Sequence, residues 1–168
     1  MKNPSIDTRE LVRQMAAAFY GEYYYLDMPI YVKNEEVRNG LCAEPLIKET
    51  LDMAKNMDMI ISGIGGKSSL PLKNPAMRPY LTKRDEEEAE TCLGSLYGFV
   101  LDKNGRVADI DLNRKLVSAP LEDMMKTPHR LVVAYGRHKT EILRKTAMNG
   151  LYNELLTDSE TAIHLLEE

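Results

Sequence analysis

The chain has 168 residues, with 22 lysines and arginines against 26 aspartates and glutamates, which gives a formal net charge of −4. This length suits one domain with a sizeable core, and the acidic balance excludes the basic surface of a nucleic-acid-binding domain. Cys42 and Cys92 have neither a CxxC spacing nor a histidine partner, and no signal peptide or long apolar run is present. We therefore expect a reduced, cytoplasmic protein with no metal, no cofactor, no membrane contact and no direct contact with nucleic acid.

The N-terminal half contains two helical patterns and two strand patterns. Apolar residues recur at helical spacing over residues 11–19, which predicts an amphipathic helix that ends near Gly21, and a strand is predicted directly afterwards at residues 22–26. A second helical stripe covers residues 44–57. It leads into the apolar run at residues 59–61, which is typical of a buried strand in a parallel sheet.

The C-terminal half alternates short strand patterns with helical ones. Residues 96–101 and 106–108 flank an Asn-Gly step, which predicts a β-hairpin with a type I′ turn. Further strands are predicted at residues 115–118, 130–134 and 154–156, with a helix between the last two. Strands that alternate with helices predict a three-layer, Rossmann-like α/β domain with a mostly parallel sheet and one antiparallel hairpin.

A glycine turn and a lysine follow the strand predicted at residues 130–134. Gly136 allows the backbone to turn tightly, and Lys139 opens the next helix. Unpaired N–H groups at a helix start, together with the Lys139 ammonium and a second cation at Arg137, would attract a phosphate. The alternative is a basic residue that is merely solvated, as in many strand-to-helix turns.

A second glycine turn, Gly65-Gly66, ends the strand that begins at residues 59–61. Open α/β sheets usually bind ligands at the carboxyl edge, so Gly65 is a candidate ligand contact. The alternative is that these glycines only make a tight turn.

Several short segments agree in order and spacing with one protein family. Residues 134–139 (Ala-Tyr-Gly-Arg-His-Lys) are similar to an Ala-Gly-Gly-x-x-Lys segment, and residues 155–162 (Leu-Leu-Thr-Asp-Ser-Glu-Thr-Ala) resemble Leu-Val-Thr-Asp-Glu-x-Thr-Ala. The other matching segments are residues 60–66, 93–98, 102–105 and 121–123. Together these segments resemble the effector domain of SorC-type sugar-binding transcriptional regulators, across most of the chain.

The resemblance implies a regulatory domain whose fold is similar to that of sugar-phosphate isomerases and glucosamine-phosphate deaminases. Such a domain binds a phosphorylated sugar, signals to a DNA-binding domain and assembles into homo-oligomers. Residues 1–168 would form part of this effector domain. The family's helix-turn-helix segment, first strand and phosphate-binding turn would lie before Met1, so this chain would act on DNA only through a domain that it lacks.

The resemblance also implies roles for individual residues. The family's ligand lysine falls on Lys139, beside Gly136, and Gly65 lies in the turn of the first matching segment. Arg78 falls near a position that contacts phosphate in the family, although a solvated loop arginine is an equal alternative. Ser95 stands where many members carry an acidic residue, so it keeps the ability to hydrogen-bond sugar hydroxyls but loses the charge-assisted part of that contact.

The alternative function is a sugar-phosphate isomerase or deaminase-like enzyme. An enzyme of this fold needs a positioned general base beside a closed phosphate site, and the carboxylates at Asp109 and Asp111 have no visible partner arrangement. No GxSxG motif surrounds Ser95. We therefore expect a sensor rather than an enzyme. A third interpretation is a shortened relative that self-associates, because a sheet without its first strand exposes an edge or a groove.

Overall fold

The computed structural model describes residues 8–167. Within this range there are five β-strands: β1 (Met59–Gly66), β2 (Gly94–Leu96), β3 (Phe99–Leu101), β4 (His129–Val133) and β5 (Glu154–Leu156). The same range contains eight α-helices: α1 (Thr8–Ala18), α2 (Glu35–Ala43), α3 (Pro45–Asp52), α4 (Lys83–Glu88), α5 (Asp111–Arg114), α6 (Leu121–Met124), α7 (Thr140–Met148) and α8 (Ser159–Glu167). Short 3₁₀ segments lie between them, at Met53–Asn56, Lys67–Ser69, Pro71–Lys73, Pro75–Tyr80 and Arg137–Lys139.

The five strands form one sheet in the order β3-β2-β1-β4-β5. Strands β1, β4 and β5 are parallel to one another, whereas β2 is antiparallel to β1 and β3 is antiparallel to β2. Four of the five strands therefore run in one direction. The predicted α/β class, with a mostly parallel sheet and an antiparallel hairpin, is confirmed.

One face of the sheet is covered by α7 and packs into a core. Val132 of β4 and Leu143 of α7 are fully buried there, and Ile64 of β1 is 3% exposed. Alternate side chains of a strand point to opposite faces, so these residues alternate with others that point away from α7. A second core lies on the side of the sheet that carries β3, and it includes Leu70 and Leu112.

The opposite face of the three parallel strands is exposed. Ile61, Val133 and Leu156 lie on adjacent strands and are 47%, 41% and 59% exposed. Within residues 8–167 no helix covers these three side chains, because α7 packs against the other face. Over this part of the sheet the described residues form two layers rather than the predicted three.

Strand β1 also has an edge without a strand partner. Strand β2 pairs only with residues 64–66, so residues 59–63 of β1 pair with β4 alone in the part of the chain that the structure describes. A groove of about 810 Å³ runs beside this edge, between β1 and residues 22–26. Its lining is mainly apolar and includes Tyr23, Tyr24 and Met59.

The antiparallel hairpin turns at a different place from the predicted one. Strands β2 and β3 are joined by Tyr97 and Gly98, which have φ angles of 55° and 87°, as a type I′ turn requires. The tyrosine hydroxyl donates to the carbonyl oxygen of Leu151 at 3.0 Å, which helps to hold it there. The predicted Asn-Gly step makes a separate turn, after which a single bridge joins Leu101 to Val107.

Two predicted strands are not formed. Residues 22–26 have no strand partner within the described structure, and residues 115–118 contribute only a single bridge, between Leu116 and Tyr31. Both predictions were based on local apolar patterns. A strand also needs a neighbour that pairs along its length, and the local sequence does not encode that neighbour.

Helix α1 ends at Ala18, and Tyr20, rather than the glycine that follows it, takes the left-handed position beyond the helix. Tyr20 has a φ angle of 55°, and the N–H group of Gly21 donates to the carbonyl oxygen of Ala16 at 2.8 Å. This is the hydrogen bond of a Schellman-type helix end, in which glycine usually occupies the left-handed position. Here a tyrosine that is 98% exposed occupies it.

Candidate ligand-binding site

The carboxyl ends of β1, β4 and β5 lie at one edge of the sheet, because these strands are parallel. They are followed by Lys67–Ser69, by the turn at Gly136 and by Asp158, respectively. The Arg137–Lys139 turn contacts β1, and Lys67–Ser69 contacts both β1 and β2. Four of the five predicted site residues therefore lie on elements that meet at the edge where open α/β sheets bind ligands.

Gly65 and Ser95 are direct neighbours across strands β1 and β2. A Cβ atom on Gly65 would lie 2.9 Å from the hydroxyl oxygen of Ser95 and 2.9 Å from that of Ser69. The missing side chain at Gly65 thus leaves room for two hydroxyl groups. Ser69 was not predicted as a site residue, since its place beside Gly65 depends on how the chain turns after β1.

Gly136 has the backbone conformation that the sequence predicted. Its φ angle is 102°, in the region that favours glycine. Its N–H group donates to the hydroxyl oxygen of Thr161 at 2.8 Å and to Oδ2 of Asp158 at 3.3 Å. The N–H groups of Lys139 and Thr140 donate to carbonyl oxygens within the turn. Three amides of the expected anion site are therefore already hydrogen-bonded, so an anion would depend mainly on side chains.

Lys139 supplies such a side chain. It is half-buried at the start of α7, and within residues 8–167 its ammonium group has neither a hydrogen-bond partner nor a carboxylate partner. Most other lysines near this edge are engaged: Lys67, for example, donates to the carbonyl oxygen of Glu90 at 2.8 Å. Lys139 is thus a cation whose charge is not neutralised by the described part of the protein.

Asp158 and Thr161 connect the turn after β5 to the turn after β4. Asp158 accepts hydrogen bonds from the N–H group of Thr161 at 2.7 Å and from its hydroxyl at 3.0 Å. The first of these bonds is the main reason why the pKa of Asp158 lies below its ordinary value. Thr161 is fully buried. Neither residue was predicted as a site residue, because their contact with Gly136 joins segments that are distant in sequence.

Arg78 lies apart from the other predicted site residues. It is exposed and lines a separate cavity of about 350 Å³, together with Lys73 and Glu90. Lys73 is ion-paired with Glu90 at 3.2 Å. The other four predicted site residues do not line this cavity, so a role of Arg78 in the same site stays a prediction.

The carboxylates considered as general bases are held by cations. Asp109 forms ion pairs with Arg84 at 3.2 Å and with Arg114 at 2.6 Å. The hydrogen bond from Arg84 and the charge of Arg114 hold the pKa of Asp109 below its ordinary value. Asp111 accepts a hydrogen bond from Thr82 at 2.8 Å and pairs with Arg114 at 3.2 Å. A base with a lowered pKa is a weak proton acceptor, so Asp109 gives the enzymatic alternative no support, and Asp111 is already engaged by Thr82 and Arg114.

Among residues 8–167 no group of three or more histidine, cysteine, aspartate or glutamate side chains is arranged to hold a metal ion. In the same residues no helix is both long enough and apolar enough to span a bilayer.

Fold and site together define an α/β domain in which an unpaired lysine and two serine hydroxyls lie near the carboxyl edge of a mostly parallel sheet. Residues 2–167 match the family model Sugar-bind, described as "Putative sugar-binding domain". The chain therefore belongs to this family. The predicted resemblance to the sugar-binding effector domain of SorC-type transcriptional regulators is thereby confirmed.

Individual relatives agree with this assignment. Transcriptional regulator LsrR of Escherichia coli O139:H28 is 27% identical over 141 residues, which are 82% of this chain and 44% of that protein. The chain thus spans less than half the length of this curated relative. A transcriptional regulator from Streptococcus pneumoniae has a TM-score of 0.83 at 23% identity, covering 99% of this chain and 64% of its own. The sorbitol operon regulator SorC from Klebsiella pneumoniae has a TM-score of 0.80 at 22% identity, covering 98% and 55%. Both solved structures show the same fold.

Proposed function

We propose that this chain is the effector-sensing domain of a cytoplasmic transcriptional regulator of carbohydrate metabolism. It binds a phosphorylated sugar and signals to a DNA-binding domain outside residues 1–168, which form only part of the effector domain. The observation that carries the proposal is the unneutralised ammonium of Lys139 beside the carboxyl edge of the sheet. Membership of the sugar-binding family and the regulator names of the relatives support it.

Each site residue has a distinct role in this proposal. Lys139 binds the phosphate through its ammonium group, since the N–H groups of Gly136, Lys139 and Thr140 are already hydrogen-bonded. Ser95 hydrogen-bonds sugar hydroxyls, with Gly65 leaving the space for them. Gly136 shapes the turn that presents Lys139. Arg78, which lines a separate cavity, keeps in this proposal the phosphate contact that the resemblance implies.

Contact with DNA is indirect in this proposal. The net charge of −4 does not favour a polyanion, so the chain makes no direct contact with nucleic acid and none with a membrane. No cofactor or metal takes part. The relationship of the fold to sugar-phosphate isomerases and glucosamine-phosphate deaminases belongs to the same proposal.

Self-association is the second part of the proposal. Ile61, Val133 and Leu156 form an exposed apolar face next to an open strand edge. Apolar faces of this kind mark interaction sites in soluble proteins, and a second copy of the chain would cover this one. A solution mass of one chain at micromolar concentration would contradict this part alone.

Thermal unfolding tests whether the chain binds a sugar phosphate. We expect glucose 6-phosphate or ribose 5-phosphate to stabilise the chain by about 2–3 kcal/mol at a hundredfold excess over the dissociation constant. The Lys139→Ala variant should lose this effect. Lys83→Ala, at a lysine whose side chain is 90% exposed, should keep it.

Three outcomes contradict the proposal. If neither sugar phosphate stabilises the chain, sugar-phosphate binding by these residues is wrong. If inorganic phosphate stabilises it equally well, the site recognises an anion and not a sugar. Turnover of either compound by the purified chain would favour the enzymatic alternative.

A further inference from the structure

We propose that Thr161 and Asp158 are positioning residues for the Lys139 turn, and that they fix its shape before any ligand binds. This inference rests on the proposed function only in that Lys139 is the ligand lysine. The two residues lie after β5, whereas Lys139 follows β4. Helix α8 and the Arg137–Lys139 turn would therefore respond to a ligand as one unit.

The first step of the argument is the hydrogen bond to Gly136. Its N–H group has Thr161 as its nearer acceptor, at 2.8 Å, and Asp158 as a longer one, at 3.3 Å. A glycine with a φ angle of 102° and a ψ angle of 132° has access to many other conformations. A fixed acceptor is therefore needed to select this one, and the buried hydroxyl of Thr161 provides it.

The second step concerns the orientation of that hydroxyl. The hydroxyl of Thr161 donates its hydrogen to Oδ2 of Asp158 at 3.0 Å, so its lone pairs are free to accept the N–H group of Gly136. Oδ1 of Asp158 accepts the N–H group of Thr161 at 2.7 Å. The carboxylate thus holds the residue through both its backbone and its side chain, and the hydroxyl has a single orientation.

The third step follows the turn to the lysine. The carbonyl oxygen of Gly136 accepts the N–H group of Lys139 at 2.9 Å, so both polar backbone groups of the glycine are engaged. A displacement of the Gly136 amide would carry Lys139 with it. The Arg137–Lys139 turn also contacts α8 and β1, so it packs between these two elements.

Two substitutions at Thr161 separate the hydroxyl from the packing. Thr161→Val keeps the shape of the buried side chain and removes the acceptor, whereas Thr161→Ser keeps the acceptor and removes the methyl group. Thr146→Val is the matched control, because Thr146 is also fully buried on an adjacent helix but its hydroxyl donates to carbonyl oxygens of α7 itself. Asp158→Asn is a second test that leaves the core unchanged.

The first measurement needs no ligand. Hydrogen exchange of the backbone amides is compared between the wild-type chain and the variants, in peptides that cover residues 134–140. We expect exchange in this segment to be about tenfold faster in Thr161→Val and in Asp158→Asn, and unchanged in Thr161→Ser and Thr146→Val. If Thr161→Val exchanges at the wild-type rate there, the hydroxyl does not hold the turn and the inference is wrong, whether or not a sugar phosphate binds.

The second measurement uses glucose 6-phosphate and ribose 5-phosphate as probes. For the probe that binds the wild-type chain, Thr161→Val should weaken binding about tenfold, and Thr161→Ser should restore it to within about twofold. Bound probe should also slow amide exchange in α8 of the wild-type chain but not of Thr161→Val. Weaker binding in Thr146→Val as well would show a general loss of stability and would overturn the inference. Binding of neither probe to the wild-type chain would instead count against the proposed function, and the exchange result would still decide the role of Thr161.

Discussion

The backbone of Gly94 lies so close to the carbonyl oxygen of Gly65 that no side chain fits between them. A Cβ atom on Gly94 would lie 2.0 Å from that oxygen and 2.3 Å from Cδ1 of Ile142. Strands β1 and β2 and helix α7 therefore meet at one point, directly beside Ser95.

Replacing Gly94 should disrupt this point. We expect Gly94→Ala to lower the free energy of unfolding by at least about 3 kcal/mol, because a paired backbone carbonyl and a buried isoleucine cannot both move aside. Urea denaturation measures the change. Gly40→Ala is the control: its Cβ would meet no atom within 4 Å in α2, so it should raise stability by up to about 1 kcal/mol. Equal stability of the two variants would contradict the close contact at Gly94.

The end of α1 predicts a stabilising substitution. Tyr20 has a positive φ angle and is 98% exposed, so Tyr20→Gly should relieve strain while losing few contacts, a gain of about 1 kcal/mol. The converse applies at Gly150, which follows α7 and has a φ angle of 68°. Gly150→Ala should lower the free energy of unfolding by about the same amount, although a Cβ atom there would meet no atom within 4 Å. Melting temperatures check both variants, and a loss of stability in Tyr20→Gly would be the contrary result.

Two buried tyrosines predict sensitivity to alkali. Burial raises the pKa of Tyr31 to about 12 and that of Tyr152 to about 12, above the ordinary value near 10. Because the folded pKa is raised, the stability that these groups contribute is complete below about pH 10 and is lost as the pH rises towards 12. Tyr31→Phe should therefore flatten the fall of the melting temperature in this range, whereas Tyr20→Phe should leave its slope unchanged. Identical slopes in both variants would show that Tyr31 is not involved.

The lowered pKa of Asp158 predicts that the Gly136 turn becomes less stable in acid. Its pKa is lowered in the folded chain, first of all by the hydrogen bond from the N–H group of Thr161. A lowered pKa means that its contribution to stability is present above the ordinary aspartate value near 4 and is lost as the pH falls further. We expect amide exchange in the Gly136 turn, after correction for intrinsic rates, to accelerate as the pH falls below about 4 in the wild-type chain. In Asp158→Asn it should already be fast at pH 6 and show no such step.

Self-association through the exposed sheet face predicts that a charge placed there separates the copies. Ile61→Lys places an ammonium in the middle of that face and should convert a dimer into a single chain, as sedimentation would measure. Met148→Lys, at a position that is 81% exposed at the end of α7, should leave the mass unchanged. If Ile61→Lys remains a dimer, a different surface holds the copies together.

Elements that depend on local pattern could be predicted from the sequence. The strand at residues 130–134, the helix behind Lys139 and the strand Glu154–Leu156 were placed within a residue or two, because their apolar periodicity and the flanking glycines act over short distances. The turn that carries Gly136 and Lys139 was predicted for the same reason, and its role in ligand binding stays a prediction. It is a strand, a glycine and a lysine in immediate succession.

Features that depend on distant partners could not be predicted in this way. The Asn-Gly step at residues 104–105 is a stronger local turn signal than Tyr97-Gly98, yet the hairpin turns at the tyrosine, where a hydrogen bond to Leu151 holds it. Ser69 and Thr161 reach the site only through the path of the folded chain. The occupied amide of Gly136 likewise depends on Thr161, and it shifts the expected anion recognition from the backbone to Lys139.

Oxidation of a methionine on the exposed face of the sheet can report whether a second chain covers that face. Met59 lies on this face and is 46% exposed, while Met148 is 81% exposed elsewhere. Peroxide converts accessible thioethers to sulfoxides, and mass spectrometry resolves the two sites. When a second chain shields the face, oxidation of Met59 should slow while that of Met148 continues as an internal reference. The ratio of the oxidation rates of Met59 and Met148 would then report, without any added label, the fraction of time for which that face of the sheet is in contact with water.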